Sequence, residues 1–330
     1  MQIVFLNTFE RQTEEGANVS AQLTISEEQG VWGVDWLEEK EGSETERWFE
    51  GVSWEEMMTA FRYGIARMMG QGFAPIVDGM LESERGPGSY LTMLQCYGEM
   101  HANDELFQLL KDWRRKTAAS EKKSAYLVAT NRMLWMISAF VPQSGEELSQ
   151  IPGWGKAKQE AYGEAVLHIT AGAERATGFP LDWVPGALDA EQYTAWLYKQ
   201  KENKYKGMMD RQQEKKQILH ILQQAGGLDQ LQKELKLSRR ELLLRIEQLE
   251  QEGYDIDPLL DRELSLVEEG ERELIWQALS TFGDRYLKPV LAQVYGEDPQ
   301  AHAERPVEQL YERLRLMRMS YRRKKHEKAV

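Results

Sequence analysis

The sequence predicts an α+β fold that is mostly α, with an N-terminal antiparallel β-sheet and helix followed by two helical domains. Residues 2–50 alternate apolar and polar side chains and are rich in β-branched and aromatic types, which is typical of half-buried strands. Residues 104–172 place apolar side chains at helical spacing instead. Residues 213–330 contain short helical segments separated by glycines, which indicates a helix-turn-helix or winged-helix-like helical domain.

The N-terminal domain is predicted to span residues 1–100. The strand pattern occurs in four segments, residues 2–10, 19–26, 31–38 and 46–50. Ser53 followed by Glu56 forms a capping-box pattern that opens a helix. The apolar face of this helix is formed by Met57, Phe61, Ile65 and Met68. Residues 82–89 are expected to be a loop and residues 90–100 a helix, so the domain should be a sheet of about four strands with a helix packed on it.

Charge and tryptophan content bear on the role of this domain. Residues 1–103 carry 6 basic and 18 acidic side chains, which accounts for nearly all of the net charge of −13. Trp32, Trp36 and Trp48 allow two interpretations: a platform on which bases stack, or side chains that fill the core between sheet and helix. The core interpretation is favoured. An acidic surface repels single-stranded DNA and suits a protein partner or a DNA mimic.

The second domain is predicted over residues 104–172, and its most informative segment is the glycine turn at residues 151–156. Gly153 and Gly155 permit backbone angles and close approaches that a side chain blocks. The helix that follows presents unpaired N–H groups and a positive dipole end, which suits a phosphate. Two lysines add charge at this point, Lys156 and Lys158. The alternative is an ordinary turn between helices with lysines in solvent.

Residues 104–172 resemble the HRDC domain, a helical module found near the C-termini of RecQ-type helicases and RNase D-type nucleases. The resemblance rests on an opening Leu-x-x-Trp-Arg, an Ala-Tyr-Leu-Val in the second helix and the glycine turn, at residues 110–114, 125–128 and 151–155. It implies a small helical bundle that binds nucleic acid, often single-stranded, and has no catalytic activity of its own. Residues 121–123 depart from the family, which usually has a proline before the second helix.

Charge and the resemblance together predict which residues of this domain meet nucleic acid. The residues expected to contact phosphates are Arg114, Arg115, Lys116, Lys122, Lys123, Lys156 and Lys158. Gly153 and Gly155 shape the turn. Trp154 between them either stacks on a base or supports the turn.

The third domain is predicted over residues 213–330, after a connector at residues 173–212 that is rich in proline, glycine and then charge. Three short helices with tight turns, the third capped by Ser238, make a helix-turn-helix arrangement. The third helix, over residues 238–252, would offer three arginines to a groove or backbone, Arg239, Arg240 and Arg245. Many units of this kind contact proteins instead.

The rest of this domain resembles the C-terminal helix-turn-helix extension of bacterial RecQ-like proteins. The resemblance rests on Leu-Lys-Pro-Val at residues 287–290, an acidic stretch and the helix at residues 308–316. It implies DNA or partner contact without catalysis. The chain then ends in a basic run that contains Arg322, Arg323, Lys324 and Lys325. We expect this tail to attract phosphates independently of sequence, and a solubilising tail is the alternative.

Other features exclude classes of function. The chain has no GxxxxGK[ST] loop for an ATP-driven motor, and its single cysteine, Cys96, allows neither a disulfide framework nor a cysteine zinc site. The five histidines lack metal-ligand spacing, and no nucleophile lies beside a base in sequence. We therefore predict that the protein is not an enzyme and uses no metal or cofactor. The absence of a signal and of a membrane span predicts a cytoplasmic protein.

These features predict a non-catalytic accessory protein that binds single-stranded or forked DNA in repair, recombination or replication, together with a RecQ-type helicase. Tethering of weakly binding modules would raise the overall affinity. One alternative is a transcription regulator that reads duplex DNA through residues 238–252. A second is a protein adaptor in which the acidic N-terminal domain docks a partner and no DNA is bound.

Overall fold

The structure is a computed structural model that describes residues 1–13, 16–39, 44–81, 89–224, 226–296 and 306–327. The chain divides into two compact units, Met1–Gly207 and Met208–Val330. An antiparallel sheet at the N-terminus is followed by helices, so the predicted α+β, mostly α class is confirmed.

The first unit begins with a five-stranded antiparallel sheet in the order β4-β3-β2-β1-β5. Its strands are β1 Gln2–Gln12, β2 Asn18–Glu28, β3 Val31–Glu38, β4 Glu46–Gly51 and β5 Ala74–Pro75. Gln29 and Gly30 join β2 to β3 with φ of 52° and 84°, the mirror-image turn whose twist matches that of a hairpin. Strand β5 was not predicted, because two residues that include a proline show no alternating pattern.

Helix α1, Trp54–Gly70, packs on one face of this sheet. Trp36 is 2% exposed and stacks on Trp48 with ring centroids 5.2 Å apart. A Cβ atom at Gly64 of α1 would lie 2.1 Å from the Trp48 ring, so only glycine fits there. Trp32 packs against the same core. The core interpretation of these three tryptophans is therefore confirmed.

The remaining helices of the first unit surround a second core. They are α2 Tyr90–Met100, α3 Asp104–Ser120, α4 Ala125–Val128, α5 Asn131–Phe140, α6 Gly145–Ser149, α7 Lys156–Thr170, a 3-10 turn Leu181–Trp183, α8 Val184–Ala187 and the start of α9 Ala190–Gln223. The predicted second helix, which contains Ala-Tyr-Leu-Val at residues 125–128, is short and is followed by a separate helix, so that this part of the chain forms α4 and α5. The division occurs because Ala129 is extended and Thr130 caps α5 by accepting from Met133 N (3.3 Å).

This second core extends beyond the boundaries predicted for its domain. Leu94 of α2 lies in it, although residues 90–100 were assigned to the N-terminal domain. Leu181 and Val184, which fall in the predicted connector, are buried in it as well. Gly98 lets α2 approach α5, because a Cβ atom there would lie 2.7 Å from Met136 Cγ.

The second unit is built from helices around one core. After the C-terminal part of α9 these are α10 Leu228–Leu235, α11 Arg239–Gln251, α12 Asp257–Ser265, α13 Glu269–Phe282, α14 Leu287–Tyr295 and α15 Val307–Glu327. The described residues of this unit form no strand, so no β-wing is seen among them. The first helix predicted for this domain, around Ile218, is the end of α9, which continues without interruption from the predicted connector.

Candidate nucleic-acid interface

Two basic side chains from neighbouring helices donate hydrogen bonds to the carbonyl oxygens at the C-terminal end of the short helix α4. Lys158 on α7 donates from Nζ to the carbonyl oxygens of Leu127 (2.5 Å) and Val128 (2.6 Å). Arg114 on α3 donates from Nη1 to the carbonyl oxygen of Ala129 (3.0 Å). Burial lowers the pKa of both groups. These two cations therefore satisfy three successive carbonyl groups at the break between α4 and α5, and we assign them a structural role that the sequence analysis did not foresee.

Removal of the Lys158 ammonium group tests this structural role. Lys158→Met is expected to destabilise the domain by about 1–3 kcal/mol, because two carbonyl groups lose a charged donor. Lys156→Met removes the same group from an exposed side chain two residues away and is the control. Differential scanning calorimetry should show a lower Tm for the first variant alone. Equal Tm values for both variants would contradict the assignment.

Two large side chains of α4, one aromatic and one aliphatic, are exposed to solvent. Tyr126 is 66% exposed and Leu127 is 53% exposed. Lys122 and Lys123, which precede α4, are exposed, and Lys156 begins α7 two residues before the lysine that bonds to α4. We call these five residues the α4 end of the domain. An exposed ring among cations is the arrangement by which proteins bind single strands without reading their sequence.

Acidic side chains offset part of the charge near the α4 end. Lys123 Nζ lies 3.0 Å from Glu121 Oε2, which also accepts from the Tyr162 hydroxyl (2.7 Å). Arg115 pairs with Asp112 at 3.1 Å on the exposed side of α3. In the part of the chain that the structure describes, no acidic group forms an ion pair with three predicted phosphate ligands, Lys116, Lys122 and Lys156. Their charge is available to a ligand.

The glycine turn is organised by a buried tryptophan. Trp154 is 2% exposed and donates from Nε1 to Gln159 Oε1 (2.9 Å), so its ring supports the turn and has no face open to a base. Gly153 has φ of 85°, and a Cβ atom there would lie 2.3 Å from Met133 Cε. Gly155 has φ of −80° and ψ of 175°, which any residue adopts. The turn therefore requires glycine at position 153.

In the second unit, two of the three arginines predicted on α11 are engaged by acidic partners. Arg239 Nη2 lies 2.8 Å from Asp229, and Arg245 Nε lies 2.5 Å from Glu214. Arg240 is exposed and has no acidic partner among the described residues. The predicted cap of α11 is present as a capping box between Ser238 and Glu241. The helix therefore offers one free guanidinium group where the sequence analysis expected three.

The predicted basic tail is mostly part of the core helix α15. Leu314 and Met319 of this helix are fully buried. Arg322 donates from Nε to Asp284 Oδ2 (2.5 Å), and Arg323 lies 2.6 Å from Asp257 Oδ2. Lys324 Nζ lies over the Trp276 ring at 5.5 Å and, with Lys325, is exposed. The charge pattern of the sequence did not reveal these acidic partners, because Asp284 lies between α13 and α14 and Asp257 begins α12, both distant in the chain. Residues 328–330 lie outside the described part of the chain.

Two exposed residues of the HRDC-like bundle were missed by sequence reasoning. Tyr126 lies in the Ala-Tyr-Leu-Val motif, which was used only to support the family resemblance, and only Val128 of α4 is buried. Arg132, in the first turn of α5, is exposed and was not among the residues expected to contact phosphates. The signal that was available is the Thr130 cap, which starts a new helix at that point.

Three further features bear on function: clusters of metal-ligating side chains, membrane-spanning helices and the single cysteine. Within the described ranges, no three His, Cys, Asp or Glu side chains come together to hold a metal ion. No helix in those ranges is long and apolar enough to cross a membrane. Burial raises the pKa of the Cys96 thiol to about 11, so little reactive thiolate forms there at neutral pH.

Comparison with known proteins identifies the helical bundle of the first unit. The HRDC domain family matches residues 103–170. ATP-dependent DNA helicase UvrD2 of Mycobacterium tuberculosis and of Mycobacterium bovis is 39% identical over 70 residues, which are 21% of this chain and 10% of each helicase. This chain thus spans about a tenth of the length of these curated relatives, over the HRDC region. No solved structure matches the chain significantly.

The match agrees with the geometry of the bundle. It begins at Asn103, whose side chain caps α3 by accepting from Leu106 N (2.9 Å), and it ends with α7 at Thr170. HRDC is a non-catalytic nucleic-acid-binding domain. Residues 103–170 of this chain belong to the HRDC family.

Proposed function

We propose that this chain binds single-stranded and forked DNA through the α4 end of its HRDC domain, and acts as a non-catalytic accessory factor in DNA repair, recombination or replication. The observation that carries the proposal is the exposed Tyr126 ring, which follows the exposed Lys122 and Lys123 by four and three positions in the chain. The exposed Lys156 begins the helix that bonds to α4 through Lys158. A ring stacks on any base and lysines attract the phosphates, so this surface suits a single strand of any sequence. A RecQ-type helicase is the proposed partner, because residues 104–172 resemble a module found in helicases of that type.

The other modules have smaller roles in this proposal. Arg240 on α11 and Lys325 on α15 remain candidates for phosphate contact in the second unit. Each gives weak attraction alone, and tethering to the HRDC domain raises its effective concentration at a bound DNA. The acidic N-terminal sheet layer is assigned to protein contact, because its charge opposes DNA.

Fluorescence anisotropy with labelled single-stranded, duplex and forked DNA over a salt series tests the proposal. We expect tighter binding to single strands and forks than to duplex, with a slope of log K against log salt of about −0.7 for each phosphate neutralised. Flat anisotropy at low salt would overturn DNA binding and favour the protein adaptor. A preference for one duplex sequence would favour the transcription regulator.

The Tyr126 ring can be tested separately from the charge around it. Tyr126→Ala is expected to weaken binding to single strands by about 1–3 kcal/mol, because one base loses its stacking partner. Tyr126→Phe should retain most of the affinity. Tyr286→Ala, which removes a ring of similar exposure (63%) from the second unit, is the control. Equal affinities of the Tyr126→Ala and Tyr286→Ala variants would remove the ring from the proposed site.

A further inference from the structure

A groove of about 670 Å³ lies beside the start of α5 in the first unit. One side is formed by the HRDC domain, with Arg132, Trp135 and Gly153. The other side is formed by Leu91 of α2 and Gln200 of α9, which lie outside residues 103–170. The groove therefore exists only because helices that flank the HRDC domain pack against it. Its volume is within the range of about 300–1,000 Å³ that is usual for ligand sites.

The flanking wall is held in place by contacts between α2 and α9. Glu99 Oε2 accepts from Trp196 Nε1 (3.0 Å) and Gln200 Nε2 (3.4 Å). Thr92 Oγ1 lies 2.8 Å from the Tyr193 hydroxyl. These hydrogen bonds fix the position of α9 along α2 and stabilise the Glu99 carboxylate. The wall is thus positioned before any ligand arrives, which reduces the entropy lost on binding.

The lining of the groove combines apolar surface, amides and one cation. Trp135 stacks on Phe107 at 5.9 Å, which holds its ring in the groove lining, and Leu91 is 44% exposed. Gln200 offers an amide that both donates and accepts. Arg132 is exposed in the first turn of α5, where the helix dipole adds positive potential, and it has no acidic partner among the described residues. Flat bases with polar edges and a nearby phosphate match this set of groups.

The groove begins close to α4 along the chain, because its lining residues Thr130 and Asn131 follow Val128 by two and three positions. Arg132 follows the last residue of α4 by four positions, and Gly153 precedes Lys156 by three. Met133, next to Arg132, packs against Gly153, so the two segments meet. The groove thus lies close to α4 and carries an exposed arginine, and this charge suits the phosphates of a nucleic-acid occupant.

We propose that the groove between α2, α5 and α9 is a second subsite for the same single strand, which receives the nucleotides that extend past the α4 end. This inference rests on the proposed function. It predicts that the first unit as a whole contacts more nucleotides of a single strand than the HRDC domain alone contacts. Bases pack against Trp135 and Leu91, and Arg132 contacts a phosphate.

Binding of oligothymidines of roughly 5 and 15 nucleotides to the full chain tests the subsite. The double variant Leu91→Glu with Arg132→Glu places two negative charges in the groove. Both positions lie in the first turn of a helix, where acidic residues are favourable, so the fold should persist. We expect about a tenfold loss of affinity for the longer oligonucleotide and no change for the shorter one.

Lys288→Glu is the matched control, because Lys288 is an exposed second residue of a helix, as Arg132 is, and lies in the second unit. Hydrogen exchange should in addition show protection of residues 131–133 by the longer oligonucleotide only. Equal affinity of wild type and the double variant for the longer oligonucleotide would overturn the subsite while short-oligonucleotide binding still supports the α4 end. Failure of every length to bind at low salt would overturn both the proposed function and the subsite.

Discussion

Replacing Glu247 by alanine is expected to destabilise the second unit by about 3–5 kcal/mol, because it leaves two partly buried arginines without the buried carboxylate that they share. The Glu247 side chain is 8% exposed and pairs with Arg315 (2.8 Å) and with Arg318. Both arginines lie on α15, and Glu247 lies on α11, so the cluster joins two helices of the core. Native-state hydrogen exchange across α11 and α15 measures the loss.

Two further variants test whether the loss of stability comes from unpaired arginines or from the removal of any carboxylate. The triple variant Glu247→Leu, Arg315→Leu and Arg318→Met removes every charge of the cluster and should regain most of the lost stability, since apolar replacements fill similar volume. Glu234→Ala removes an exposed carboxylate on α10 and should change stability by less than about 1 kcal/mol. A loss for Glu247→Ala no larger than that of Glu234→Ala would show that the buried pairing contributes little.

Charge reversal at the α4 end should have the largest effect on DNA affinity. The double variant Lys122→Glu with Lys156→Glu is expected to weaken single-strand binding on the order of tenfold for each lysine, because among the described residues no acidic partner already neutralises either charge. The salt slope should also become shallower by roughly 1.4, which is two phosphates at about 0.7 each. Anisotropy over a salt series measures both quantities.

The control for this reversal is Arg285→Glu with Lys288→Glu, which changes two exposed cations of the second unit by the same total charge. It should leave single-strand affinity within about twofold of wild type if binding depends on the lysines of the α4 end and not on net charge. Equal losses for the two double variants would mean that net charge governs binding, and the α4 end would lose its special role.

Lys156 and Lys158 show which features of the candidate site could be predicted from the sequence and which could not. Both were assigned to phosphates on charge and position. Residues two apart on a helix point about 200° apart, so the two side chains had to diverge. Only the packing of α7 against α4 decided that Lys158 turns inward to carbonyl oxygens while Lys156 stays exposed.

The basic C-terminal run shows the same limit on a larger scale. Its arginines lie close together in sequence, which indicated an open cationic surface. Their acidic partners are distant in sequence: Asp284 meets Arg322, and Asp257 meets Arg323. Ion pairs of this kind depend on which segments pack against each other, and no local sequence pattern contains that information. Sequence charge therefore overstated the free positive surface of the second unit.

By itself, the sequence determined β1 to β4 from their alternation, most of the helices from their apolar spacing and caps, and the HRDC domain from its motifs. These features are local, because a strand or helix period is written in consecutive residues. Only the tertiary structure decided that Trp154 is buried, that Tyr126 is exposed, and that α2 and α9 complete a groove beside the domain. Exposure and ion pairing depend on contacts between residues far apart in the chain, and these contacts exist only once the helices have packed.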